Sequence, residues 1–342
     1  MRFATLKSVR LVSSSRSQRC KDQKNEMNRF TPEFEPSLLF RNRHVQTIFG
    51  SQFRFFSYLP KSLEWKVPSE GSVVLRGKAW FSEGNNSVVL LYHGLGGHSD
   101  SRYLIGAGLS LRKAGFDVIR MEYRGAESGP PHTPHSYHAG LTQDIEVAVK
   151  AVQDKGYKKI YIGGFSLSSN TILKWLAEGK KTIEKAFLVS PPVRLSKCCR
   201  MIDKEENRIY RWYFLRKLRK LIQGKAKQFP DIFEPLDRPQ NFQGMWIFDD
   251  QITAPIHGFD GAEDYYEHAS SFRTLRDIQN EITIVHALDD PFVDSRDLCD
   301  LMNHCPKNIQ MHLFRNGGHM GFYLGLRKGH MLDRWIVQYF RF

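Results

Sequence analysis

From Met27 onward, short apolar runs alternate with segments in which apolar residues recur at helical spacing. The apolar runs predict buried β-strands at 87–92, 116–123, 158–164, 185–190, 281–287 and 309–314. Three segments with helical spacing, each followed by a glycine, predict helices at 101–114, about 137–155 and 167–178. Strands that alternate with helices of this length indicate parallel βαβ units and a doubly wound α/β sheet.

The alternation stops between residues 195 and 275. This block contains no convincing core strand, is basic at its start, and includes an aromatic-rich helix candidate at 207–222. We interpret it as a helical cap inserted into the core. The expected domains are a basic, disordered leader (1–26), a first core part (27–194), the cap (195–275) and a second core part (276–342).

The charge is concentrated in two segments. The chain of 342 residues has 50 Lys+Arg and 36 Asp+Glu, a formal charge of +14, which would normally suggest nucleic acid or an anionic membrane as partner. Residues 1–21 carry six basic and no acidic residues, and residues 200–227 carry a net +7. Because these segments hold 13 of the 14 excess charges, the body is nearly neutral. A nucleic-acid partner is therefore not expected.

The leader and the cysteines bear on localisation. Residues 1–26 are rich in Ser and Arg but lack the apolar core of a secretory signal, so they are either a transit-like leader or a dispensable extension before Met27. Five cysteines without C-x-x-C spacing fit a reducing compartment and argue against a disulfide framework or a thiolate zinc site. No apolar run reaches the ~18 residues that a membrane span needs. We expect a cytoplasmic protein.

The strongest chemical signal is Gly163-Gly164-Phe165-Ser166-Leu167-Ser168, between a predicted strand and a predicted helix. A nucleophile elbow has this context, with small residues two before and two after the nucleophile. The helix N-terminus behind Ser166 would add positive potential where an oxyanion forms. The alternative is a glycine turn in which a serine caps the helix.

A glycine-rich turn, His93-Gly94-Leu95-Gly96-Gly97, follows the strand 87–92. In a serine hydrolase, backbone N–H groups of such a turn can face the nucleophile and form an oxyanion hole. The rival interpretation, a phosphate-binding loop, fails because the turn matches neither G-x-G-x-x-G nor G-x-x-x-x-G-K-[ST]. No nucleotide or other cofactor is expected.

An acid and a histidine follow the last two predicted strands. Asp289-Asp290-Pro291 lies where the acid that orients a catalytic histidine would stand, and Asp289 is the alternative to Asp290. His319 lies within Asn316-Gly317-Gly318-His319-Met320-Gly321, and histidine suits a general base near neutral pH. The chain order Ser166, Asp290, His319 is that of an α/β-hydrolase triad. These residues predict hydrolase chemistry without a metal.

These motifs resemble the α/β-hydrolase superfamily, in particular its YheT-like branch, which is related to the animal abhydrolase-domain lipases and esterases. Beyond the triad, the resemblance involves Phe40–Thr47 (FRNRHVQT), His93–Tyr103, Arg124-Gly125, and a run from Phe248-Asp249-Asp250 to Tyr265-Tyr266. It covers about residues 36–342. The resemblance implies a mostly parallel eight-stranded sheet flanked by helices, with a helical cap, and a carboxylic-ester hydrolase.

Carried over to this chain, the resemblance implies Ser166 as nucleophile, His319 as general base and Asp290 as orienting acid. The backbone N–H groups of Leu95 and Leu167 would form the oxyanion hole. One departure stands out: the elbow usually reads G-x-S-x-G-[GA]-N, whereas Ser168 and Ser169 occupy the two small positions here. We expect crowding to open the turn slightly or to reduce turnover.

Three questions about function stay open at this point. A thioesterase or an acyltransferase would use the same triad, and a non-catalytic lipid- or partner-binding module could retain the fold. The helix candidate 207–222 places Ile209, Tyr213, Leu218, Leu221 and Ile222 near one face. That face either packs on the core or makes a weak contact with an anionic membrane surface together with the basic residues of 200–227. The expected substrate is a small-molecule or lipid ester with a short-to-medium acyl chain.

Overall fold

The computed structural model describes residues 30–71, 73–126, 133–134, 136–233, 242–302, 305–325 and 328–341. The predicted leader, 1–26, lies outside the described residues.

Within that part of the chain, eight strands form one mostly parallel sheet, as predicted. The order is β1-β2-β4-β3-β5-β6-β7-β8. Strands β1 and β2, and β2 and β4, pair antiparallel, and all other neighbours are parallel. The strands are β1 Leu63–Pro68, β2 Val74–Trp80, β3 Ser87–Tyr92, β4 Asp117–Met121, β5 Lys159–Phe165, β6 Lys185–Val189, β7 Glu281–Ala287 and β8 Ile309–Phe314.

Helices cover both faces of the sheet and form the cap. The core helices are α1 Arg43–Gln52, α2 Arg102–Lys113, α3 Gln143–Asp154, α4 Leu167–Ala177, α11 Ser295–Met302 and α12 Leu332–Arg341. Between β6 and β7 lie α5 Leu195–Ile202, α6 Arg208–Gln228, α7 Pro230–Phe233, α8 Met245–Phe248, α9 Ala254–His257 and α10 Ala262–Ala269, with a π-helical segment Asp249–Thr253. None of the described helices is long and apolar enough to cross a membrane.

The central strands are buried on both faces, which explains their continuous apolar runs. Along β3, Val88 and Leu90 join the hydrophobic cluster that contains residues of α3 and α4. Val89 and Leu91 join the second cluster, which contains residues of α2 and α12. Because side chains alternate between the faces of a strand, one apolar run supplies both cores.

Packing of the cap differs from the prediction at its main helix. Ile209, which the sequence places on the apolar face of α6, is 66% exposed, whereas Tyr210 and Leu215 are buried. Tyr210 contacts the ring of Phe292 (centroids 5.3 Å apart) and its hydroxyl lies 2.9 Å from His44 Nδ1. The α6 face in contact with the core therefore includes the aromatic positions 210 and 214, which the helical pattern alone did not place there.

A half-buried cluster of polar residues holds the helices of the cap together. The carboxylate of Asp203 accepts hydrogen bonds from the N–H groups of Met245 and Trp246, at 2.7 and 3.0 Å. Asp249 accepts from the hydroxyls of Thr253 and Tyr266, both at 2.6 Å. Burial raises the pKa of Asp249 to about 6. These bonds hold the segment after α7 against α5 and α10.

Candidate active site

Ser166 occupies the turn between β5 and α4 in a strained conformation. Its φ of 59° and ψ of −121° are unusual for a residue with a side chain. Its N–H donates to Val189 O at 2.8 Å. A Cβ on Gly164 would lie only 3.1 Å from Ser169 Cα, so only glycine fits there without a shift. The local structure is the strand, sharp turn and helix of a nucleophile elbow.

Ser168 and Ser169, the departures from the usual elbow, are fully buried and hydrogen-bonded. The Ser168 hydroxyl accepts from Phe165 N–H at 2.7 Å and lies 2.9 Å from Tyr92 O. Ser169 Oγ donates to Val189 O at 3.0 Å and accepts from Val189 N–H at 3.1 Å. The two hydroxyls thus link α4 to neighbouring strands, and the turn keeps its sharp geometry. Their effect on turnover stays a prediction.

His319 bridges Ser166 and Asp290. Its Nε2 lies 2.8 Å from Ser166 Oγ, and its Nδ1 lies 2.8 Å from Asp290 Oδ2. The side chains of His319 and Asp290 are almost completely buried. Burial would raise the pKa of Asp290, but its interactions with His319, His286 and the Phe292 N–H outweigh this effect, so the pKa lies below its ordinary value. Asp290 is therefore ionised near neutral pH and keeps a proton on His319 Nδ1.

The neighbouring Asp289 has a different partner. Its Oδ1 accepts from Gly318 N–H at 2.8 Å, so it contacts the backbone of the loop and not the imidazole of His319. The geometry favours Asp290 over Asp289 as the orienting acid. A second histidine, His286, is buried beside Asp290 with its Nδ1 3.9 Å from Oδ2, and burial lowers the pKa of His286 to about 4. It is neutral at physiological pH and adds no charge to the pair.

Helix α1 braces the loop that carries His319. Thr47 Oγ1 accepts from the His319 N–H at 2.9 Å. Gln46 accepts from Tyr323 N–H at 2.8 Å and donates to Tyr323 O at 2.9 Å. Gly50 packs so closely that a Cβ there would lie 2.1 Å from Gly321 Cα. The segment 40–47, which the sequence identified only through its resemblance to the family, thus helps to position the loop that carries His319, here called the histidine loop (316–323).

The glycine-rich turn after β3 is held at several backbone groups. The N–H of Gly94 donates to the Tyr103 hydroxyl at 3.0 Å, and the N–H of Gly96 donates to the Tyr137 hydroxyl at 2.7 Å. The carbonyl of Gly96 accepts from Lys217 Nζ of the cap at 2.7 Å. These bonds fix the turn in one conformation.

Two backbone N–H groups near Ser166 have no hydrogen-bond acceptor within the described part of the protein. Among the described residues, the N–H groups of Leu95 and Leu167 donate to no protein acceptor. The turn lies directly against the elbow, because a Cβ on Gly94 would be 3.1 Å from Ser166 Cβ. Leu167 is also the first residue of α4, where the helix dipole adds positive potential. Both N–H groups are available to an oxygen that develops negative charge.

Two cavities meet at Ser166. One, of about 410 Å³, is lined by α1, the glycine-rich turn, α6 and His319. The other, of about 90 Å³, lies beneath the cap. Four residues line both cavities: Leu95, Ser166, Phe214 and Phe292. The candidate nucleophile is therefore reached from two compartments.

No group of three or more His, Cys, Asp or Glu side chains in the described part of the chain is arranged to hold a metal ion.

Residues 87–326 match the protein family described as alpha/beta hydrolase fold. This match covers more than half of the chain, and it includes the turn at residues 93–97, Ser166, Asp290 and His319. The chain belongs to the α/β-hydrolase family.

Relatives place this α/β-hydrolase in the YheT-like branch. The chain is 30% identical over 300 residues to YheT of Escherichia coli, covering 85% of this chain and 87% of YheT. It is 26% identical over 252 residues to the monoacylglycerol lipase of Saccharomyces cerevisiae, covering 71% of this chain and 56% of the yeast protein. The fold is also that of the Pyrococcus furiosus esterase Pf2001, with a TM-score of 0.56 and 16% identity over 82% and 92% of the two chains.

Sequence reasoning about this α/β-hydrolase missed the hydrogen bonds that support its site. Thr47, Gln46, Tyr103, Tyr137 and Lys217 all contact the histidine loop or the glycine-rich turn, yet none belongs to a motif with a chemical role. For Thr47, Gln46 and Tyr103 the signal was present, since they lie in the segments 40–47 and 93–103 that resemble the family. Tyr137 and Lys217 required the structure.

We expect Thr47→Val to lower kcat by about 10- to 100-fold, because it leaves the His319 N–H without its acceptor and lets the imidazole shift. KM for a small ester should change by less than about twofold, since the cavity surface hardly changes. Steady-state kinetics on p-nitrophenyl acetate, with circular dichroism as a check of folding, measure both effects. Thr47→Ser keeps the hydroxyl and is the matched control. Equal kcat values for Thr47→Val and wild type would show that this bond does not position His319.

Proposed function

We propose that this α/β-hydrolase cleaves carboxylic esters through an acyl-enzyme on Ser166, with His319 as general base and Asp290 as the orienting acid. The observation that carries the proposal is the pair of 2.8 Å contacts that His319 makes with Ser166 Oγ and Asp290 Oδ2. Nucleophile, base and acid in this hydrogen-bonded order are the arrangement that activates a serine hydroxyl.

The first half of the reaction forms the acyl-enzyme. His319 Nε2 takes the proton of Ser166 Oγ as the oxygen attacks the ester carbonyl. The carbonyl oxygen becomes negatively charged and accepts hydrogen bonds from the N–H groups of Leu95 and Leu167. Collapse of this intermediate breaks the bond to the alcohol, whose oxygen takes the proton from His319. Asp290 stabilises the imidazolium that exists between the two proton transfers.

The second half releases the acid. Water loses a proton to His319 and attacks the acyl carbonyl, the same two N–H groups hold the oxyanion, and Ser166 Oγ leaves with the proton from His319. Each proton that His319 accepts is returned, so the enzyme ends in its starting state. The chemistry described needs only the side chains of this chain, its backbone and water.

We propose esters as substrates because relatives of this chain are an esterase, a lipase and a phospholipase. The yeast relative is a monoacylglycerol lipase, and a bovine relative with 23% identity is a phospholipase. A thioesterase or an acyltransferase would form the same acyl-enzyme, and the identity of the acceptor or leaving group separates these reactions. Hydrolysis of oxygen esters by water is the reaction that we propose.

A fluorophosphonate probe tests the nucleophile directly. We expect the folded wild type to be labelled on Ser166, because the probe requires an activated serine and mimics the acylation step. Ser166→Ala should lose the label, while Ser168→Ala should keep it as the matched control on the same turn. Intact-protein and peptide mass spectrometry measure the site. Folded wild type without label would contradict the proposal and favour a non-catalytic binding module.

We also propose a weak contact between the cap segment 200–227 and an anionic membrane surface. Ile209 and Trp212 are 66% and 59% exposed and lie at the larger cavity. The guanidinium of Arg216 stacks over Trp212, 5.4 Å from the ring centroid. An exposed apolar and basic surface at the entrance of a substrate cavity suits a lipid interface. The contact is weak because other basic residues are engaged within the protein, Arg208 and Arg211 with Glu205 among them.

Flotation with vesicles tests this contact. We expect more protein to float with phosphatidylserine-containing vesicles than with pure phosphatidylcholine vesicles, and the difference should shrink at high salt as charges are screened. The double variant Ile209→Ala/Trp212→Ala should float less. Leu63→Ala changes a residue that is 56% exposed on β1 and should float like wild type. Equal flotation with both vesicles, or none with either, would rule out the proposed contact with an anionic membrane surface.

A further inference from the structure

The two cavities at Ser166 differ in their surroundings. The cavity of about 410 Å³, here called the outer cavity, is lined in part by exposed residues, Ile48, Ile209 and Trp212 among them. The cavity of about 90 Å³, the inner cavity, is lined largely by buried apolar side chains of the cap, including Ile202, Leu218, Phe248 and Ile252. A substrate bound at Ser166 can extend into both.

The histidine distinguishes the two cavities chemically. His319 lines the outer cavity and is absent from the lining of the inner one. In acyl transfer, the alcohol oxygen must take a proton from the histidine as the bond to the carbonyl carbon breaks. The alcohol therefore has to leave on the side that His319 faces, which is the outer cavity. The acyl group is then left to the inner cavity.

The inner cavity suits a hydrocarbon chain. Its wall also has polar side chains, His138, His257 and Asp249 among them. Asp249 accepts hydrogen bonds at both oxygens, from Thr253 and Tyr266. Leu218, Leu221 and Ile222 project from one side of α6 into its lining. Burial of methylene groups against such side chains is favourable because it removes apolar surface from water.

The volumes limit the acyl chain. An apolar cavity of about 150 Å³ accommodates one benzene molecule of six carbons. By the same measure the inner cavity, at about 90 Å³, accommodates about four carbons. The outer cavity is more than four times larger, so it has room for the larger part of a substrate.

We propose that the inner cavity is the acyl site and that the enzyme acts on esters of short-chain acids with a larger alcohol. This inference rests on the proposed ester hydrolysis at Ser166 and adds the division of the substrate between the two cavities. The cap residues that line the inner cavity then set the acyl-chain preference. Helix α1 and the α6 residues Ile209 and Trp212 contact the alcohol.

A series of p-nitrophenyl esters tests the division, because every member has the same leaving group and only the acyl chain varies. We expect kcat/KM to be highest at about four carbons and to fall by at least tenfold from butyrate to decanoate, since longer chains do not fit the inner cavity. Assays below the critical micelle concentration keep the substrate monomeric. A kcat/KM that rises steadily to decanoate would overturn the inference.

Two matched variants separate the cavities. Leu221→Ala enlarges the inner cavity, and we expect the preferred acyl chain to lengthen by about two carbons and kcat/KM for octanoate relative to butyrate to rise at least fivefold. Ile209→Ala changes the outer cavity and should leave the acyl preference unchanged. If Ile209→Ala shifts the acyl preference and Leu221→Ala does not, the acyl chain occupies the outer cavity and the inference is wrong.

Fluorophosphonate labelling keeps this result distinct from a failure of the proposed function. A protein that is labelled on Ser166 but prefers long acyl chains contradicts only the division between cavities. A folded protein that is neither labelled nor active on any ester of the series contradicts ester hydrolysis, and the inference falls with it. Labelling of Leu221→Ala on Ser166 shows that this variant is folded and keeps an activated nucleophile.

Discussion

Everything at the site depends on holding Ser166, Asp290 and His319 in hydrogen-bond contact although they are far apart in sequence. The parallel pairing of β5, β6, β7 and β8 brings the ends of these strands to one edge of the sheet. Backbone strain is concentrated at the same place. The positive-φ residues other than glycine in the described chain are Ser166, Ser190, Met320 and Phe322. Such conformations persist only where surrounding contacts enforce them.

The contacts that enforce the geometry come from residues outside the triad and the elbow. Helix α1 holds the histidine loop through Thr47 and Gln46, and the cap reaches the glycine-rich turn through Lys217. The cap thus has two roles in this account: it encloses the inner cavity, and it helps to fix the turn that bears the Leu95 N–H. A change in the cap can therefore alter both substrate preference and the oxyanion site.

Much of the fold could be predicted because its core strands are apolar on both faces. The predicted strands 87–92, 281–287 and 309–314 agree with β3, β7 and β8 at both ends. Strands β1 and β2 were not identified because they contain no continuous apolar run: Lys66, Arg76 and Lys78 occupy positions that alternate with buried ones. The apolar face predicted for α6 is only part of the face that packs. Tyr210 and Phe214 also pack, on Phe292, and helical spacing does not predict this tertiary contact. The triad residues were identifiable because each follows a strand. The contacts that Thr47, Tyr137 and Lys217 make with the loops around them were not.

The central claim is that Asp290, and not its neighbour, orients His319 for catalysis at Ser166. Comparing kcat/KM of Asp290→Asn and Asp289→Asn on one short-chain ester tests it most directly, since both changes remove a carboxylate at adjacent positions of one loop. We expect a loss of roughly 10³- to 10⁴-fold for Asp290→Asn. For Asp289→Asn, whose carboxylate accepts from the Gly318 N–H and does not contact His319, we expect a loss of less than about tenfold. A larger loss for Asp289→Asn, or nearly full activity of Asp290→Asn, would contradict the account.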